Sequence, residues 1–116
     1  MKKITLMLFL FSASVFAQLD RVEPPFWYAG MHIPELQIMF YGRNIAQNEV
    51  SVSNNIVITA VKKTENPNYL FVTIDTKNVT AQDFVFSFSK DKKVNFTKKY
   101  SLKQRRENSA SRKGFD

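Results

Sequence analysis

The sequence contains no cysteine and only one histidine, His32. The lack of cysteine excludes a disulfide, a thiolate metal ligand, a cysteine nucleophile and a lipid-modified N-terminal cysteine. A zinc site needs more than one imidazole when thiolates are missing, and a Ser-His-Asp triad would have to be built on this one loop residue. We therefore interpret His32 as a turn or interface residue, and we expect no metal and no cofactor.

Long stretches of helical periodicity are also missing, and there is one long apolar run, residues 4–16. The run follows two lysines and is succeeded by Ala17, a small residue suited to signal-peptidase cleavage. As a helix it would span about 20 Å of the roughly 30 Å of a bilayer core, so a permanent membrane anchor is the weaker interpretation. The sequence predicts a signal peptide over residues 1–17, a mature chain that begins at Gln18, and a periplasmic or secreted protein.

Positive charge is concentrated outside the middle of the chain. Of the net charge of +7, two charges leave with the signal peptide and three belong to residues 101–116, which leaves +2 for residues 18–100. Nucleic-acid binding is not predicted, because the middle of the chain offers no basic recognition helix and no basic face with interleaved aromatics. The lysines around Asp91 are interpreted as a solvated hairpin loop rather than a phosphate site.

Period-two alternation and turn residues predict several short strands. Phe84, Phe86 and Phe88 alternate with polar residues, and three rings on one face must be buried. They are expected to pack against a strand over residues 69–75 that directs Leu70, Val72 and Ile74 into the core. Further strands are predicted over residues 36–41, over residues 56–61 in the interior of a sheet, and over residues 94–102, with a hairpin at 89–93 and with Val94, Phe96, Tyr100 and Leu102 as apolar positions.

Short strands separated by turns are typical of an all-β sandwich. We predict an immunoglobulin-like (E-set type) antiparallel β-sandwich over residues 18–103. Beyond it the apolar periodicity stops, and residues 104–116 are rich in Arg, Lys, Ser and Asn with almost nothing to bury. This tail is interpreted as a flexible linker.

The rest of the chain is organised around residues 22–42. Pro24 and Pro25 exclude a helix or a central strand at this point, so an extended lead-in is predicted. Three aromatic residues follow and precede a turn at Gly30, a residue that readily takes a positive φ. The candidate interface or sugar-contact residues are Phe26, Trp27, Tyr28, Met31 and His32.

Four blocks of the sequence, in this order, carry a resemblance to a known family. They read VEPPFWYAGM, PELQIMFYGRNI, ENPNYLFVTID and, at the end, SRKGFD. Together they resemble the N-terminal domain of cyclomaltodextrinases and neopullulanases, which are enzymes of the α-amylase family (glycoside hydrolase family thirteen). The similarity covers residues 22–116.

The resemblance implies an immunoglobulin-like domain placed ahead of a catalytic (β/α)8 barrel. It assigns the catalytic aspartate, glutamate and second aspartate of the family to barrel strands, so none of them corresponds to a residue of this sequence. The chain itself is therefore expected to be non-catalytic. Its implied partners are the barrel or a second subunit, with an α-glucan as a further candidate. We expect no binding to nucleic acid and, after signal cleavage, no association with a membrane.

Three functions stay open at this point. The favoured one is an accessory domain of an exported maltodextrin- or cyclomaltodextrin-hydrolysing enzyme that docks the barrel, supports dimerisation or positions α-glucan. The second is a free-standing carbohydrate-binding module that stacks sugar on Trp27 and Tyr28, and the third is a structural β-sandwich with no sugar binding. A lone Trp beside two prolines is more often a core or interdomain anchor than a ligand platform.

Overall fold

Two four-stranded sheets make up the part of the chain described by the computed structural model, residues 19–105. The predicted signal peptide over residues 1–17 lies outside these described residues, and so do residues 106–116 of the predicted linker. The strands within the described range are β1 (Leu19–Glu23), β2 (Trp27–Tyr28), β3 (Glu35–Gly42), β4 (Glu49–Val52), β5 (Val57–Lys63), β6 (Tyr69–Asp75), β7 (Gln82–Lys90) and β8 (Lys93–Lys103).

The first sheet has the strand order β1-β3-β6-β5, and the second has the order β2-β8-β7-β4. Neighbouring strands are antiparallel, except that β2 runs parallel to β8. The chain passes between the sheets several times, as it does after β1, where Pro24 and Pro25 follow, and again between β4 and β5. The architecture is therefore an all-β sandwich with mainly antiparallel sheets, as predicted.

The core lies between the two sheets and is built from alternate positions of their strands. Leu70, Val72 and Ile74 of β6 are fully buried, and so are Phe86 and Phe88 of β7. These residues belong to one apolar cluster, which also contains Phe84, Phe40, Ile38, Tyr100 and Leu102. The predicted burial of both rows is confirmed, because a strand that packs on one side alone must direct every second residue inward.

The predicted strand over residues 69–75 has the bounds of β6, and the predicted hairpin joins β7 to β8. At its tip Asp91 and Lys92 have φ values of 54° and 68°. Positive φ at both central residues is the geometry of a type I′ turn, whose twist matches that of the paired strands. The lysines around Asp91 are exposed there, as expected of a solvated loop.

The prediction of an interior strand over residues 56–61 is wrong. The strand runs from Val57 to Lys63 as β5, and it forms an edge of the first sheet with β6 as its single neighbour. Two of its valines remain open to solvent, Val57 at 57% and Val61 at 44% exposed, while Ile58 packs against the core cluster. β3 pairs with β6 along seven residues and also pairs with β1. β3 therefore takes the interior position, and β5 pairs with the other side of β6 as the edge strand.

Two further differences concern Val94 and Phe96, near the start of β8. Val94, predicted as an apolar strand position, is 59% exposed because it follows the hairpin tip, where the irregular register between Phe88 and Ser89 displaces β8. Phe96 is half-buried and stacks on Phe88 with ring centroids 4.8 Å apart. The fully buried residues of β8 are Tyr100 and Leu102, near its end.

Besides the two-residue strand β2, three elements were not predicted: β1, β4 and the 3-10 turn Ile45–Gln47. The 3-10 turn buries Ile45 and follows Asn44, which has a left-handed φ of 55°. β1 pairs with β3 and places Val22 opposite Phe40, while β4 pairs with β7 and places Val52 opposite Phe86. Each is short and contains charged or polar residues, so the alternation of apolar and polar positions that marks a strand is weak there.

Candidate interface formed by the aromatic segment

The predicted aromatic segment lies at the edge of the second sheet. After β1 the chain turns through Pro24 and Pro25, and the Pro24 carbonyl accepts a hydrogen bond of 2.8 Å from the Tyr100 hydroxyl. The two residues of β2 then pair in parallel with the end of β8, Trp27 beside Leu102 and Tyr28 beside Lys103. The predicted extended lead-in is thus the crossing between the two sheets, and it aligns the aromatic residues along a strand edge.

The three rings are all half-buried, and they differ in what they pack against. The Trp27 ring lies 6.2 Å from the Tyr28 ring, with planes at 53°. Trp27 is half-buried and packs against the core cluster. Phe26 and Tyr28 meet edge to face with ring centroids 5.7 Å apart and planes at 85°. Trp27 thus anchors the segment, and Phe26 with Tyr28 forms its half-exposed aromatic pair.

Lys103 contacts this aromatic pair, a contact that no pattern in the sequence indicated. Its Nζ lies 4.0 Å from the centroid of the Phe26 ring. A cation–π contact at an exposed site stabilises by about 0.5–1 kcal/mol. A backbone hydrogen bond joins the same two segments, since the Ala29 amide donates to the Lys103 carbonyl at 2.9 Å. The structure therefore brings Phe26, Tyr28 and Lys103 together where the last strand ends.

Met31 and His32 lie in the bend that follows, after Gly30 with its left-handed φ of 75°. Met31 is half-buried, whereas His32 is exposed, and Ile33 beside it is 70% exposed. The Pro34 carbonyl at the end of the bend accepts a 2.7 Å hydrogen bond from the Thr76 amide. The bend is thus held at its base and presents an apolar side chain and an imidazole to the surroundings.

The described acids do not form a site within a cleft. Glu35 and Asp75 stand directly opposite each other on β3 and β6, but on the outer face of the first sheet. Asp75 accepts a 2.9 Å hydrogen bond from the Lys77 amide, which makes it part of a turn. A shallow cleft of about 170 Å³ lies elsewhere, lined by Leu19, Asp20, Arg21, Val22, Pro25 and Lys98.

Within residues 19–105, no three carboxylate or imidazole groups are gathered closely enough to hold a metal ion. Over the same residues, no helix has the length and apolar character needed to cross a bilayer.

A second aromatic group was missed by the sequence interpretation. Tyr41 of β3 and Tyr69 and Phe71 of β6 lie on the outer face of the first sheet, opposite in direction to the buried Leu70. The Tyr41 and Tyr69 rings are 4.8 Å apart, and the Tyr69 and Phe71 rings are 6.3 Å apart with planes at 9°. The signal was present in the sequence, because placing Leu70 and Val72 inward necessarily places Tyr69 and Phe71 outward.

Comparison with solved structures finds a likeness to a chain described as the ZirS C-terminal domain. The two are 13% identical with a TM-score of 0.47, and the match covers 78% of this chain and 66% of that one.

Comparison with protein families gives a match to the model described as the N-terminal domain of cyclomaltodextrinase, over residues 21–106. The match extends from within β1 to just past the end of β8, so it includes nearly the whole sandwich and the aromatic segment. It confirms the resemblance carried by the first three sequence blocks, whereas the fourth block, residues 111–116, lies outside the match. The chain belongs to the cyclomaltodextrinase N-terminal domain family.

Proposed function

We propose that this chain is a non-catalytic accessory domain of an exported α-amylase-family enzyme that hydrolyses maltodextrins or cyclomaltodextrins. The observation that carries the proposal is the family match over residues 21–106, which spans the sandwich from β1 to β8. In the family's arrangement, the reaction belongs to a separate barrel and this domain supports it. We further propose that the sandwich is of the immunoglobulin-like E-set type and that the protein functions in the periplasm or outside the cell.

The arrangement of the carboxylates supports a non-catalytic role. A retaining glycosidase needs two carboxyl groups about 5–5.5 Å apart on either side of a bound sugar. Glu35 and Asp75 are neighbours across two strands, but they project side by side from a sheet face, and Asp75 is engaged by the Lys77 amide. A substrate over such a face cannot lie between them, so the pair is unsuited to attack and protonation from opposite sides.

The proposed contact with the catalytic barrel is the edge formed by Phe26, Tyr28, Met31, His32 and Lys103. Its aromatic pair is half-exposed, and Ile33 beside it is largely exposed. Aromatic and Met residues of this kind are enriched at protein interfaces. Gln104 and Arg105 leave the sandwich from the same end of β8. In an enzyme of this family, a domain that follows β8 would therefore be held beside this edge.

The position of Trp27 weighs against the alternative of a free-standing carbohydrate-binding module. That alternative used Trp27 and Tyr28 together as a stacking platform, but Trp27 packs against the core cluster while Tyr28 pairs with Phe26. The rings of Trp27 and Tyr28 are 6.2 Å apart but tilted by 53°, so they do not offer a sugar one flat surface. Sugar binding by this pair is kept as one outcome of the test.

The test is a fluorescence titration of Trp27, the single tryptophan of the chain. Two additions are compared: millimolar maltoheptaose, and the catalytic barrel of a cyclomaltodextrinase that lacks its own N-terminal domain. The expected result is a change in emission with the barrel and little change with the sugar, because Trp27 lies 6.2 Å from the Tyr28 ring and senses its burial. The chain alone should release no reducing sugar from maltoheptaose, cyclodextrin or pullulan.

Tyr28→Ala is the informative variant, and Tyr69→Ala on the other sheet is its matched control. The barrel response should be lost in the first and kept in the second, with circular dichroism showing both to be folded. Saturable quenching by maltoheptaose alone that disappears in Tyr28→Ala would assign the segment to sugar binding. Hydrolysis that is abolished by changing one of the chain's own acids would contradict the accessory role altogether.

A further inference from the structure

The second sheet has an edge along β8 that is mostly unpaired. Within residues 19–105, β7 pairs with one side of β8 from Lys93 to Leu102, and the other side is paired only at Leu102 and Lys103, by β2. Residues 94–100, which we call the open edge, therefore extend for roughly 20 Å at about 3.3 Å per residue. Unpaired edges are the places where sheets accept an additional strand.

The backbone of the open edge points outward at Thr97 and Lys99. Lys99 lies opposite Val85 of β7. The Val85 carbonyl accepts a 3.0 Å hydrogen bond from the Ser53 amide, and the Val85 amide donates to the Ser53 hydroxyl at 2.9 Å, so both groups face the β4 side. Opposite residues in an antiparallel ladder exchange both hydrogen bonds or neither, so the amide and carbonyl of Lys99 point away from β7. The same direction recurs two residues earlier, at Thr97.

Strand β2 shows that this side of β8 can hold a strand. The Ala29 amide donates to the Lys103 carbonyl at 2.9 Å. Lys103 comes four positions after Lys99, so the alternation of the backbone directs both carbonyls to the same side. A peptide along the open edge would therefore continue the line of β2 and would use the same kind of hydrogen bond.

The shallow cleft described above lies beside the open edge. Its apolar wall is formed by Leu19, Val22 and Pro25, and Lys98 of β8 lines it as well. Lys98 stands opposite the buried Phe86, which places it at an inward position, yet its side chain is exposed because the two sheets are open on this flank. An inward side chain of an added strand would enter this cleft next to Lys98.

The charge of β8 indicates what kind of strand the edge would accept. The strand contains four lysines and no Asp or Glu from Lys93 to Lys103. Lys99 lies 3.8 Å from Asp83, but no carboxylate in the described part of the chain forms an ion pair with Lys98. Because like charges on facing strands repel, a second copy of β8 is disfavoured here, and a segment that carries Asp or Glu is favoured.

We propose that the open edge binds an extended acidic segment of another protein as an added strand, with one acidic side chain in the cleft beside Lys98. A glutamate suits this cleft, because its methylene groups would contact the apolar wall while its carboxylate pairs with the ammonium. The backbone groups of Thr97 and Lys99 would supply the strand pairing, and Lys98 the selectivity. The inference goes beyond the accessory role proposed above, and it uses no residue of the proposed barrel contact.

The experiment uses the blocked hexapeptide acetyl-Val-Thr-Glu-Glu-Val-Thr-amide. Its alternating side chains direct one glutamate into the cleft and the other toward Lys99. The peptide is titrated into the purified protein, expressed from the whole 116-residue chain, while the amide resonances are recorded. Saturable shifts along β8 are expected. The Kd should be about 0.1–1 mM, because a hexapeptide buries far less than the roughly 1,200 Å² of a stable interface.

Two matched peptides test the selectivity for acidic side chains. They carry Gln-Gln or Lys-Lys in place of Glu-Glu and keep the same length and alternation. The Gln-Gln peptide should bind about threefold more weakly, and the Lys-Lys peptide about tenfold more weakly or not at all, because it meets the lysines of β8. Equal affinity for all three peptides would contradict the recognition of acidic side chains.

Hydrogen exchange distinguishes an added strand from a contact between charges alone. Without peptide, the amides of Thr97 and Lys99 should exchange fast, whereas those of Lys98 and Tyr100, which are directed to β7, should exchange slowly. At a peptide concentration about ten times the Kd, exchange at Thr97 and Lys99 should slow by about tenfold. Resonance shifts without this protection would overturn the proposal.

Lys98→Glu should weaken the Glu-Glu peptide by about tenfold and should create binding of the Lys-Lys peptide. Lys62→Glu is the matched control, since it makes the same charge change on β5, the edge strand at the other end of the first sheet. It should leave both affinities unchanged. The reversal of preference in Lys98→Glu is a result that a merely structural role of Lys98 would not give.

Thr97→Pro tests the backbone. Proline removes an amide that β7 does not use, so it is tolerated on an edge strand, but it blocks the pairing of an added strand. The variant should keep its circular dichroism spectrum and lose the protection at Lys99. Should it fail to fold, Lys98→Glu with the two charged peptides still decides the question.

Three further outcomes would show the proposal to be wrong. The first is an absence of shifts in β8 at several millimolar Glu-Glu peptide. The second is a set of shifts that maps to β5 instead of β8. The third is protection of Thr97 and Lys99 that rises with protein concentration alone, which would mean that a second copy of the chain occupies the edge.

Discussion

Phe40 and Phe86 meet edge to face across the interior, with ring centroids 5.2 Å apart and planes at 69°. Phe40 lies on β3 of the first sheet and Phe86 on β7 of the second, so this contact joins the two sheets. Phe88 makes a similar contact with Phe40 at 5.1 Å. Neither Phe40 nor Phe86 is exposed to solvent at all, and Phe86 also contacts Phe84 and Tyr100.

The first prediction concerns Phe86. Phe86→Ala should lower the free energy of unfolding by about 3–5 kcal/mol, because it removes a fully buried ring and leaves a cavity between the sheets. For a domain of this size that is a large share of a total of about 5–15 kcal/mol. Urea unfolding followed by circular dichroism gives the value, and Phe71→Ala, on the outer face of β6, should cost only about 1 kcal/mol. Equal losses in the two variants would contradict the assignment of faces.

The second prediction concerns Tyr100, whose hydroxyl donates to the Pro24 carbonyl at 2.8 Å. Burial raises the pKa of this hydroxyl well above its ordinary value. Above about pH 10 the unfolded chain loses this proton while the folded chain keeps it, so the free energy of unfolding falls as pH rises. Below about pH 10 the contribution is fully present.

Tyr100→Phe removes this part of the alkaline loss and, near neutral pH, costs about 0.5–1.5 kcal/mol through the lost hydrogen bond. The measurement is the urea midpoint from pH 7 to pH 12 for both proteins. Tyr69→Phe leaves Tyr100 in place and should retain the alkaline fall. A wild-type midpoint that stays constant through this range, or an identical fall in Tyr100→Phe, would show that Tyr100 is not the group responsible.

The third prediction concerns the hairpin tip, where Lys92 has a φ of 68°. A lysine in the left-handed region costs about 1–2 kcal/mol, and glycine does not carry that cost. Lys92→Gly should therefore raise the free energy of unfolding by about 1 kcal/mol. Lys90→Gly, in the strand just before the turn, should instead lower it by about 0.5–1 kcal/mol. Thermal unfolding of the two variants would reveal opposite shifts, and shifts of the same sign would contradict the turn type.

The fourth prediction concerns export. If residues 1–17 are a cleaved signal peptide, the protein recovered from the periplasm or medium begins at Gln18, and its intact mass gives that N-terminus directly. Conversion of Gln18 to pyroglutamate would lower the mass by the loss of ammonia. Recovery of the uncleaved chain in the membrane fraction would identify residues 4–16 as an anchor instead.

The parts of the fold that were predicted correctly depend on local alternation. Phe84, Phe86 and Phe88 occupy every second position, and so do Leu70, Val72 and Ile74, which is sufficient to define both a strand and its buried face. The turn between β7 and β8 was likewise readable, because it joins two alternating segments through a short polar connection. These features require no knowledge of which strands become neighbours.

Features that depend on a distant neighbour could not be predicted. Val57 and Val61 look like interior residues in the sequence, and only the placement of β3 beside β6 makes β5 an edge. The sequence favoured an anchoring role for Trp27, but its strand partner, Leu102, lies 75 positions along the chain and could not be inferred. The same holds for Lys103 over Phe26. The residues of the candidate site could be named from the sequence, while their geometry depended on long-range pairing.

The pairing of β2 with β8 has a consequence for the order in which the protein forms. Tyr100 and Pro24 are 76 positions apart, and Trp27 finds its strand partner only at Leu102. Because β2, near the start of the domain, pairs with β8 at its end, a nascent chain holds an open, incomplete second sheet until the last residues of β8 have been synthesised. Such long-range closure makes folding slow, and until then the apolar positions of β7 are available to chaperones.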